Sequence, residues 1–595
     1  MEETTQIKNV YLFQPQYAVE FRKESTYWLP YSVGCLWSYV DQFSDISENF
    51  DLKDIIFKRE PPEQLLERME NPSVCGFSCY IWNEKYCLTI AEMIKQRWPE
   101  CVIVFGGAQT NSSMLLHGFI DCIIMSEGEE NFLDLLRNIK DNQPVKQFYE
   151  KRRMQQLDIP SPYLTGVFDK ILKDNPTALW SMTFETNRGC PYSCTFCDWG
   201  GLTYSKVKRF ELDKIREELE WSIGKPVTYL ICADANFGIF KDRDLEIAKI
   251  IREVADKGNI DSVNLQYAKN STEIVFQIAK TLGPLSRGIT VSVQSMHDDT
   301  LSAIKRKNMD INNVQNLMEL SEEYGVTTYT EVILGLPLET LETWKQGFSE
   351  ILEMGQHHSI DMWFAQLLYN SEMAQPESRK QYGIESIISK DYMPLYNEGD
   401  YRDIEEEIEL VQSTSTMTVD DMIEGYMYGW MIIHFHISGY SQIIAKYLRS
   451  QDISWREYYD AMFDALPKHE LFGPHFESLK KIVATYLNTG ELVSEEYAKG
   501  GHGIHALSYS FMYDNKSHAC AFAEQIANTL YHAPQSVVTV QEHFLFDKNV
   551  EYPVIVQHEN KTITISPKLS ANTEFEFYLY RRQGLLKNIV KDHQE

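Results

Sequence analysis

The chain has few positive charges, no long apolar run and almost no histidine in its first half. Its 56 Lys and Arg residues face 86 Asp and Glu residues, which gives a formal net charge of −30. A chain with this charge repels nucleic acid and anionic lipid, so we expect neither nucleic acid nor a membrane as a partner. The most apolar stretch, residues 426–440, contains glycine and histidine and is shorter than the roughly 20 residues that span a bilayer, so it predicts a buried helix.

The first residues lack both a basic segment and a long apolar segment, so we expect no secretory signal peptide. Eleven cysteines, an odd number, are scattered mostly over apolar segments and do not form the pattern of a disulfide framework. This cysteine usage favours a reducing compartment, and we expect a cytoplasmic protein.

Residues 1–145 alternate short apolar runs with helical patterns, which predicts an open, mostly parallel α/β sheet of the Rossmann-like (flavodoxin-like) type. Ligands of such sheets bind at the carboxyl ends of the strands. The polar and glycine residues expected at these ends are Gln14, Ser78, Tyr80, Trp82, Asn83, Gly106, Gly107, Glu127, Gly128 and Glu129.

Three further segments follow. Residues 146–175 have weak periodicity and two prolines, and predict an ordered connector. Residues 176–398 contain six strand-like runs with helical patterns between most of them, which predicts a partial (β/α)6 relative of the eight-stranded TIM barrel, with functional groups on the loops after the strands. Residues 399–595 predict a mostly helical domain with a small β element that contributes to the substrate pocket. In this last segment, residues 401–411 read as an acidic helix, Thr418 as a helix cap, and residues 357–358 as a solvated turn.

The loop after the first strand of the second series, "NRGCPYSCTFCDWG" at 187–200, contains Cys190, Cys194 and Cys197. A 4Fe–4S cube has four irons, and spacings of three and two residues let one short loop bind three of them. The next cysteine, Cys232, is expected to be a core residue. A zinc site would need a fourth ligand, and no histidine is near. The loop therefore predicts a 4Fe–4S cluster with one iron left open for a chelating ligand.

This C-x3-C-x2-C loop, on the first strand of a partial barrel, resembles the radical S-adenosylmethionine (radical SAM) superfamily. The resemblance implies that the open iron chelates SAM and that one electron from the cluster cleaves SAM to a 5′-deoxyadenosyl radical. Taken alone, Gln294 is an ordinary strand-end residue and Arg306 a solvated helix charge. In this register, the resemblance implies a set of SAM contacts: Phe196, Asp234, Asn236, Gln294, Arg306 and, in the fifth-strand segment, Glu331.

The first domain resembles the cobalamin-binding domain that precedes the barrel in one radical SAM subfamily, through "LPYSVGCLWSYV", "GFSCYIWN", "VFGGAQ" and "SEGEENF". The resemblance covers roughly residues 8–395, and a plain nucleotide or flavin fold is the alternative. Many cobalamin proteins supply a histidine to the lower face of cobalt from a D-x-H-x-x-G loop, but here that loop reads "QPQYAVEF". We therefore expect cobalamin without a histidine lower ligand, with Tyr80 or Trp82 capping its lower face.

Together the cofactors imply a methyltransferase that moves a methyl group from SAM via methylcobalamin to an unactivated carbon of a small-molecule or natural-product substrate, with help from the 5′-deoxyadenosyl radical. The alternative keeps both cofactors but performs a non-methylating rearrangement, cyclisation or oxidation. An RNA methylthiotransferase would carry a second cysteine-bound cluster, which Cys75, Cys79 and Cys87 do not match. A non-catalytic cluster-based sensor would not need the SAM contacts. An external electron donor such as flavodoxin or ferredoxin is expected.

Overall fold

The computed structural model describes residues 7–18, 26–152, 154–198, 206–268, 273–286, 288–309, 311–390 and 401–491, with shorter pieces at 505, 508, 511–512, 514–531, 554–558 and 561–565. The strands, in chain order, are β1 (Lys8–Gln16), β2 (Thr26–Trp28), β3 (Phe50–Lys58), β4 (Pro72–Ser78), β5 (Val102–Gly106), β6 (Cys122–Ser126), β7 (Phe148–Arg152), β8 (Leu179–Phe184), β9 (Asn187–Arg188), β10 (Lys208–Arg209), β11 (Val227–Cys232), β12 (Ser262–Asn264), β13 (Ile289–Thr290), β14 (Thr328–Leu334), β15 (Ile360–Phe364), β16 (Glu385–Ser389), β17 (Ile408–Ser413), β18 (Val554–His558) and β19 (Lys561–Ile565).

The α-helices are α1 (Tyr31–Asp41), α2 (Ser44–Ser47), α3 (Pro62–Glu67), α4 (Glu84–Arg97), α5 (Glu129–Lys140), α6 (Asp169–Asp174), α7 (Leu212–Trp221), α8 (Lys241–Lys257), α9 (Glu273–Leu282), α10 (Asp298–Ala303), α11 (Ile311–Tyr324), α12 (Leu341–Glu353), α13 (Pro376–Tyr382), α14 (Val419–Met431), α15 (Gln442–Ser450), α16 (Trp455–Ala465), α17 (Phe472–Thr489) and α18 (Lys516–Leu530). A π-helical stretch, Ile432–Ile437, continues α14, and 3₁₀ turns lie at Ser112–Leu116, Gly283–Leu285 and Leu466–Lys468.

The first sheet has the strand order β3-β1-β4-β5-β6-β7, and every pair in it is parallel. Neighbouring residues of its apolar strands face opposite helical layers: Leu12 packs in the core cluster that contains α1 and α5, and Phe13 in the cluster that contains α4. Burial on both faces explains why these strands read as continuous apolar runs. The α/β class with parallel sheets is confirmed.

The edge strand β7 lies inside the segment that was predicted to be a connector. It pairs in parallel with β6, from Ile123 opposite Phe148 to Ser126 opposite Arg152. The sequence of β7, "FYEKR", is mostly polar because an edge strand has one open side, so its pattern gives little strand signal. The first sheet therefore extends past residue 145, and only the rest of the 146–175 segment connects the two sheets.

The second series of strands lies where the sequence predicts it. Strands β8, β11 and β12 pair in parallel, as do β13, β14 and β15, and an isolated parallel bridge from Val263 to Ser286 links the two groups. One strand was not expected: β2, from the first 30 residues, pairs in parallel with β8. The amino-terminal segment thus adds a strand to the second sheet, which brings the two sheets together beside β8.

Residues 401–411 do not form the helix that was predicted from their acidic residues. Residues 408–413 form β17, which pairs antiparallel with β16. Ile408 and Leu410 alternate with half-buried neighbours and pack against Tyr486, so the period of two outweighs the helix propensity of the glutamates. The carboxyl-terminal helices follow, and Thr418 begins α14 with a capping box, as predicted. Strands β18 and β19 form an antiparallel hairpin.

The apolar stretch 426–440 is buried in α14 and its π-helical continuation. Within the described part of the chain, no helix is long and apolar enough to cross a membrane. His434 and His436 are buried core residues, as expected. The solvated turn predicted at 357–358 is wrong, since His357 Nδ1 lies 2.9 Å from His436 Nε2 and burial lowers the pKa of both imidazoles.

Candidate functional site

A cavity of about 770 Å³ lies between the carboxyl ends of the first sheet and those of β8 and β11. Of the ten residues predicted at the strand ends of the first sheet, all but Asn83 line it: Gln14, Ser78, Tyr80, Trp82, Gly106, Gly107, Glu127, Gly128 and Glu129. The opposite wall includes Thr183, Glu185, Ile231 and Ala233 from the second sheet. Parallel strands bring residues far apart in sequence to one edge, and here two such edges meet.

Asn83 is fully buried and shapes the wall from behind. Its side-chain oxygen accepts a hydrogen bond from the N–H of Tyr80 at 2.8 Å, and its Nδ2 donates to the carbonyls of Ser78 (3.1 Å) and Pro15 (3.0 Å). With these groups satisfied, Asn83 closes the turn after β4. The side chains that this turn presents to the cavity are Tyr80 and Trp82, whose rings stack at 4.4 Å with an interplanar angle of 4°.

The glycine turn after β5 is constrained first by the fold. Gly107 has φ of 100°, and a Cβ there would lie 2.5 Å from the carbonyl oxygen of Cys79. Gly107 is therefore required by the backbone of the neighbouring loop as well as by anything that enters the cavity. Gly106 is less restricted, because its Cβ would meet nothing closer than the Ile124 carbonyl at 3.4 Å.

A buried charge cluster spans both walls of the cavity. Arg188, two residues before the first cysteine of the loop, pairs with Glu129 of the first sheet at 2.8 Å and with Glu185 of the second at 2.8 Å. Burial acts to lower the pKa of Arg188, but Glu129 and Glu185 outweigh it and hold the pKa above its usual value. Sequence reasoning missed Glu185 and Arg188, although "ETNRGC" places both beside the cysteine loop.

The cysteine loop is held at both ends by buried contacts. Cys190 and Cys194 are buried and Cys197 is half-buried. In the middle of the loop, the N–H of Thr195 donates to the Ile304 carbonyl at 3.1 Å, and its carbonyl accepts from Met373 N–H at 2.8 Å. The loop therefore has a defined shape set by two distant segments of the second series.

Asp234 fixes the entry to the cysteine loop. Its Oδ1 accepts the backbone N–H groups of Thr186 (2.7 Å) and Asn187 (3.0 Å), while its Oδ2 accepts the Asn187 side chain (2.6 Å) and the Thr186 hydroxyl. Burial raises the pKa of Asp234 to about 6, and these hydrogen bonds oppose that rise. Both carboxylate oxygens are thus engaged with the loop, which leaves Asn236 as the better placed of the two predicted SAM contacts.

Asn236 and Arg306 lie next to the cysteines. Asn236 Nδ2 is 3.5 Å from Cys190 Sγ, and the Arg306 guanidinium hydrogen-bonds the Cys194 thiol and the Ser292 carbonyl. Arg306 is only 7% exposed, so it is not a solvated helix charge. The two positions are 70 residues apart in sequence and converge here because each follows a strand of the same parallel series.

The other three predicted SAM contacts lie in the second series and do not line the cavity between the sheets. Gln294 adopts a left-handed φ of 64°, and its N–H donates to the carbonyl of Glu331 at 2.9 Å. The carboxylate of Glu331 accepts the Ser292 hydroxyl at 3.1 Å. Phe196 packs against the apolar cluster that includes Leu336.

Three buried oxygens have no hydrogen-bond partner within the described residues: Asn236 Oδ1, Glu129 Oε2 and Asp198 Oδ1. Asp198 follows the last cysteine and lines the cavity, as Glu129 does, and burial raises the pKa of Asp198 to about 6. A buried acceptor without a donor is costly, so these atoms fit a bound group that supplies N–H or O–H donors. Sequence reasoning also missed Asp198.

The thiols fit a cluster better than a single ion. In the described part of the chain, no three Cys, His, Asp or Glu side chains converge on one metal position. A 4Fe–4S cube takes one thiolate at each of three irons, so its ligands surround a group several ångströms across and do not meet at a point. The three cysteines, the neighbouring Arg306 and the partnerless Asn236 oxygen together are compatible with a cluster and a chelating ligand.

The chain resembles known proteins over much of its length. Residues 184–349 match the family model of the Radical SAM superfamily. The chain is 32% identical over 463 residues to the cobalamin-dependent radical SAM methyltransferase TokK of Streptomyces tokunonensis, an alignment that covers 73% of this chain and 67% of TokK. It is 31% identical over 497 residues to the 2-(S-pantetheinyl)-carbapenam-3-carboxylate methyltransferase of Streptantibioticus cattleyicolor, covering 78% of this chain and 72% of that protein.

Among solved structures, the cobalamin-dependent S-adenosylmethionine radical enzyme OxsB with aqua-cobalamin bound superposes with a TM-score of 0.52. It is 15% identical and covers 91% of this chain and 84% of its own. At this identity the likeness concerns the fold: the two chains share an α/β architecture over nearly their whole length.

Proposed function

The chain belongs to the cobalamin-dependent radical SAM methyltransferases, and from this premise we propose that it transfers a methyl group from SAM to an unactivated carbon of a small molecule held between its two parallel sheets. It is an enzyme that uses a 4Fe–4S cluster, SAM and cobalamin. The relatives favour methyl transfer over the non-methylating alternative. The observation that carries the proposed site is the single cavity wall-to-wall between the first sheet and the strands that bear the cysteine loop.

When bound, the cluster and SAM supply a radical that removes a hydrogen atom, and cobalamin supplies the methyl group. In this proposal Cys190, Cys194 and Cys197 hold the cluster. Asn236 offers its partnerless Oδ1 to the amino group of SAM, and Arg306, beside Cys194, offers its guanidinium to the SAM carboxylate. Gln294, Glu331 and Phe196 remain predicted SAM contacts. Asp234 is a positioning residue, since its carboxylate holds the loop that carries the cysteines.

Cobalamin would lie against the first-sheet wall. Ser32 Oγ lies 2.8 Å from Gln14 Oε1 and 2.9 Å from Ser78 Oγ, a polar cluster at the ends of β1 and β4 that suits the amide side chains of a corrin. No histidine is among the cavity-lining residues that the structure describes, which supports cobalamin without an imidazole lower ligand. The stacked Tyr80 and Trp82 rings are the proposed cap of that lower face.

The substrate is proposed to be a small molecule, as the name of the S. cattleyicolor relative gives for that protein. The lining of the cavity carries Glu127, Glu129, Glu185 and Asp198 against one cation, Arg188. This surplus of acceptors favours groups that present N–H or O–H donors to the walls. All eleven cysteines lie in the described residues and none forms a disulfide, which supports a reducing compartment and a soluble electron donor such as flavodoxin or ferredoxin.

Product analysis of the anaerobically reconstituted enzyme tests this function. With SAM, cobalamin, a reductant and an extract of candidate small molecules, mass spectrometry should show S-adenosylhomocysteine and 5′-deoxyadenosine together, and a product heavier by one methyl group. Methyl-labelled SAM should pass its label to that product. 5′-Deoxyadenosine without S-adenosylhomocysteine would overturn methyl transfer in favour of a radical rearrangement, cyclisation or oxidation. The Cys194→Ala variant is the control and should form neither compound.

A further inference from the structure

The loop that presents Tyr80 and Trp82 to the cavity is held by a residue from a distant part of the chain. Glu406 is 2% exposed and precedes β17. Its Oε2 accepts the backbone N–H of Lys85 at 2.7 Å and its Oε1 that of Tyr86 at 3.2 Å. Both N–H groups belong to the first turn of α4, where they have no partner within the helix and where a negative charge is favoured by the helix dipole.

Glu406 is paired with a buried arginine that touches the same loop. Arg59 Nη1 lies 2.5 Å from Glu406 Oε1 and donates to the carbonyl of Trp82 at 3.2 Å. Its guanidinium lies over the rings of Tyr86 and Tyr17, 4.7 and 4.3 Å from their centroids. Because Tyr17 also lines the cavity, Arg59 contacts the wall at two places.

The ion pair fixes position more than it adds stability. Both side chains are almost fully buried, with exposed fractions of 0% and 1%. Removing two charges from water is costly, and an apolar pair of similar volume often serves stability as well or better. What an apolar pair does not supply is direction: four directed hydrogen bonds join Glu406 and Arg59 to α4, to Trp82 and to each other.

The other loop of the same wall has a comparable contact. Asn370, which follows β15, donates from Nδ2 to the carbonyls of Ala108 (2.7 Å) and Thr110 (3.0 Å) in the glycine turn after β5. The part of the chain that follows the last strand of the second series therefore holds both first-sheet loops of the cavity.

We propose that Arg59 and Glu406 form a positioning pair that sets the stacked Tyr80 and Trp82 rings against the lower face of bound cobalamin and keeps water away from cobalt there. The inference rests on the proposed function, because it takes cobalamin to be the occupant of this wall. Arg59 and Glu406 do not touch the cavity contents themselves. They act through the aromatic loop, so their effect belongs to the cofactor environment.

The test is the double variant Arg59→Met with Glu406→Gln, which removes both charges and leaves no unpaired buried charge. The matched control is Arg379→Met with Glu409→Gln, an ion pair at 2.6 Å that lies near Glu406 in sequence and joins α13 to β17. Hydrogen–deuterium exchange of the cobalamin-free proteins reports on the amides of Lys85 and Tyr86. Electron paramagnetic resonance of the cob(II)alamin-loaded proteins reports on the lower face of cobalt, and titration gives the cobalamin affinity.

In the double variant we expect faster exchange at residues 85 and 86, a spectrum that gains the signature of a lower-face water, and cobalamin affinity reduced about 10-fold or more. The control should match the wild type in all three. An unchanged spectrum and affinity in a variant whose loop exchanges faster would overturn the inference, as would unchanged exchange. If the wild type itself binds no cobalamin, the failure lies instead in the proposed function. Circular dichroism confirms that the variants are folded.

Discussion

The two walls of the cavity carry comparable numbers of functional groups but are held by different means. The wall that bears the cysteines is organised by short-range contacts around one loop: Asp234 ties Thr186 and Asn187, and Arg188 ties Glu185. The first-sheet wall is assembled from the ends of four strands, and its loops are fixed by Glu406 and Asn370 from far along the chain. The difference indicates that the radical-forming side is a self-contained motif, whereas the cobalamin side depends on the whole chain.

The largest expected effect breaks the self-contained wall at its ligands. Cys194→Ala should reduce cluster iron and SAM cleavage to background, since the loop supplies only three thiolates. Iron analysis and 5′-deoxyadenosine production measure this. Cys232→Ala is the matched control, because Cys232 is a buried strand residue outside the loop and should keep its cluster. Retention of a full cluster by Cys194→Ala would contradict the assignment.

The next effect concerns the charge cluster that joins the walls. Arg188→Met leaves Glu129 and Glu185 buried without a cation, so the free energy of unfolding should fall by about 3–5 kcal/mol. Arg449→Met breaks an ion pair with Glu353 that is 39% and 44% exposed and should cost no more than about 1 kcal/mol. Chemical denaturation of both variants compares them. Equal losses would mean that Arg188 does not bridge the walls.

A pH effect should appear behind the first-sheet wall. Burial raises the pKa of Glu84, the first residue of α4, to about 7, against a hydrogen bond from Gln109. The folded protein therefore binds this proton more tightly than the unfolded chain. The corresponding stability is complete below about pH 4.5 and is lost as pH rises through about 7.

Glu84→Gln removes this titration while keeping an acceptor for Gln109. Relative to wild type, the variant should gain stability between pH 5 and 8, by on the order of 3 kcal/mol at most. Thermal unfolding across that range measures the difference. A difference that does not change with pH would show that Glu84 titrates normally.

The smallest expected effect is at the second distant contact of the first-sheet wall. Asn370→Ala removes two hydrogen bonds to the glycine turn and should lower the free energy of unfolding by about 1–2 kcal/mol. Cobalamin affinity should weaken while SAM cleavage by the cluster is unchanged. Loss of both activities together would remove the distinction between the walls.

How far the sequence could predict the site follows the same division. The cysteine loop and its neighbours are a contiguous motif, so a local pattern was enough to identify Cys190, Cys194 and Cys197 as a unit. Strand ends such as Gln14 and Gly106 were also accessible, because apolar runs ending in polar or glycine residues mark the functional edge of a parallel sheet.

What could not be predicted depends on long-range contacts. Glu406 lies in a segment whose glutamates suggested a helix, and nothing local indicates that its carboxylate caps α4 on the other side of the molecule. Strand β2 is three residues long and pairs with a strand about 150 residues away. Asp234 was correctly placed near the cysteines, but its role in holding the loop depends on four donors that only the folded chain brings together.

The most direct test of the account is a structure of the anaerobically reconstituted enzyme with cobalamin and SAM. The account predicts a cluster on Cys190, Cys194 and Cys197, and cobalamin against the first-sheet wall with its lower face toward Tyr80 and Trp82 and no histidine on cobalt. Cobalamin bound outside the cavity between the two sheets, or a cluster with a fourth protein ligand, would contradict it.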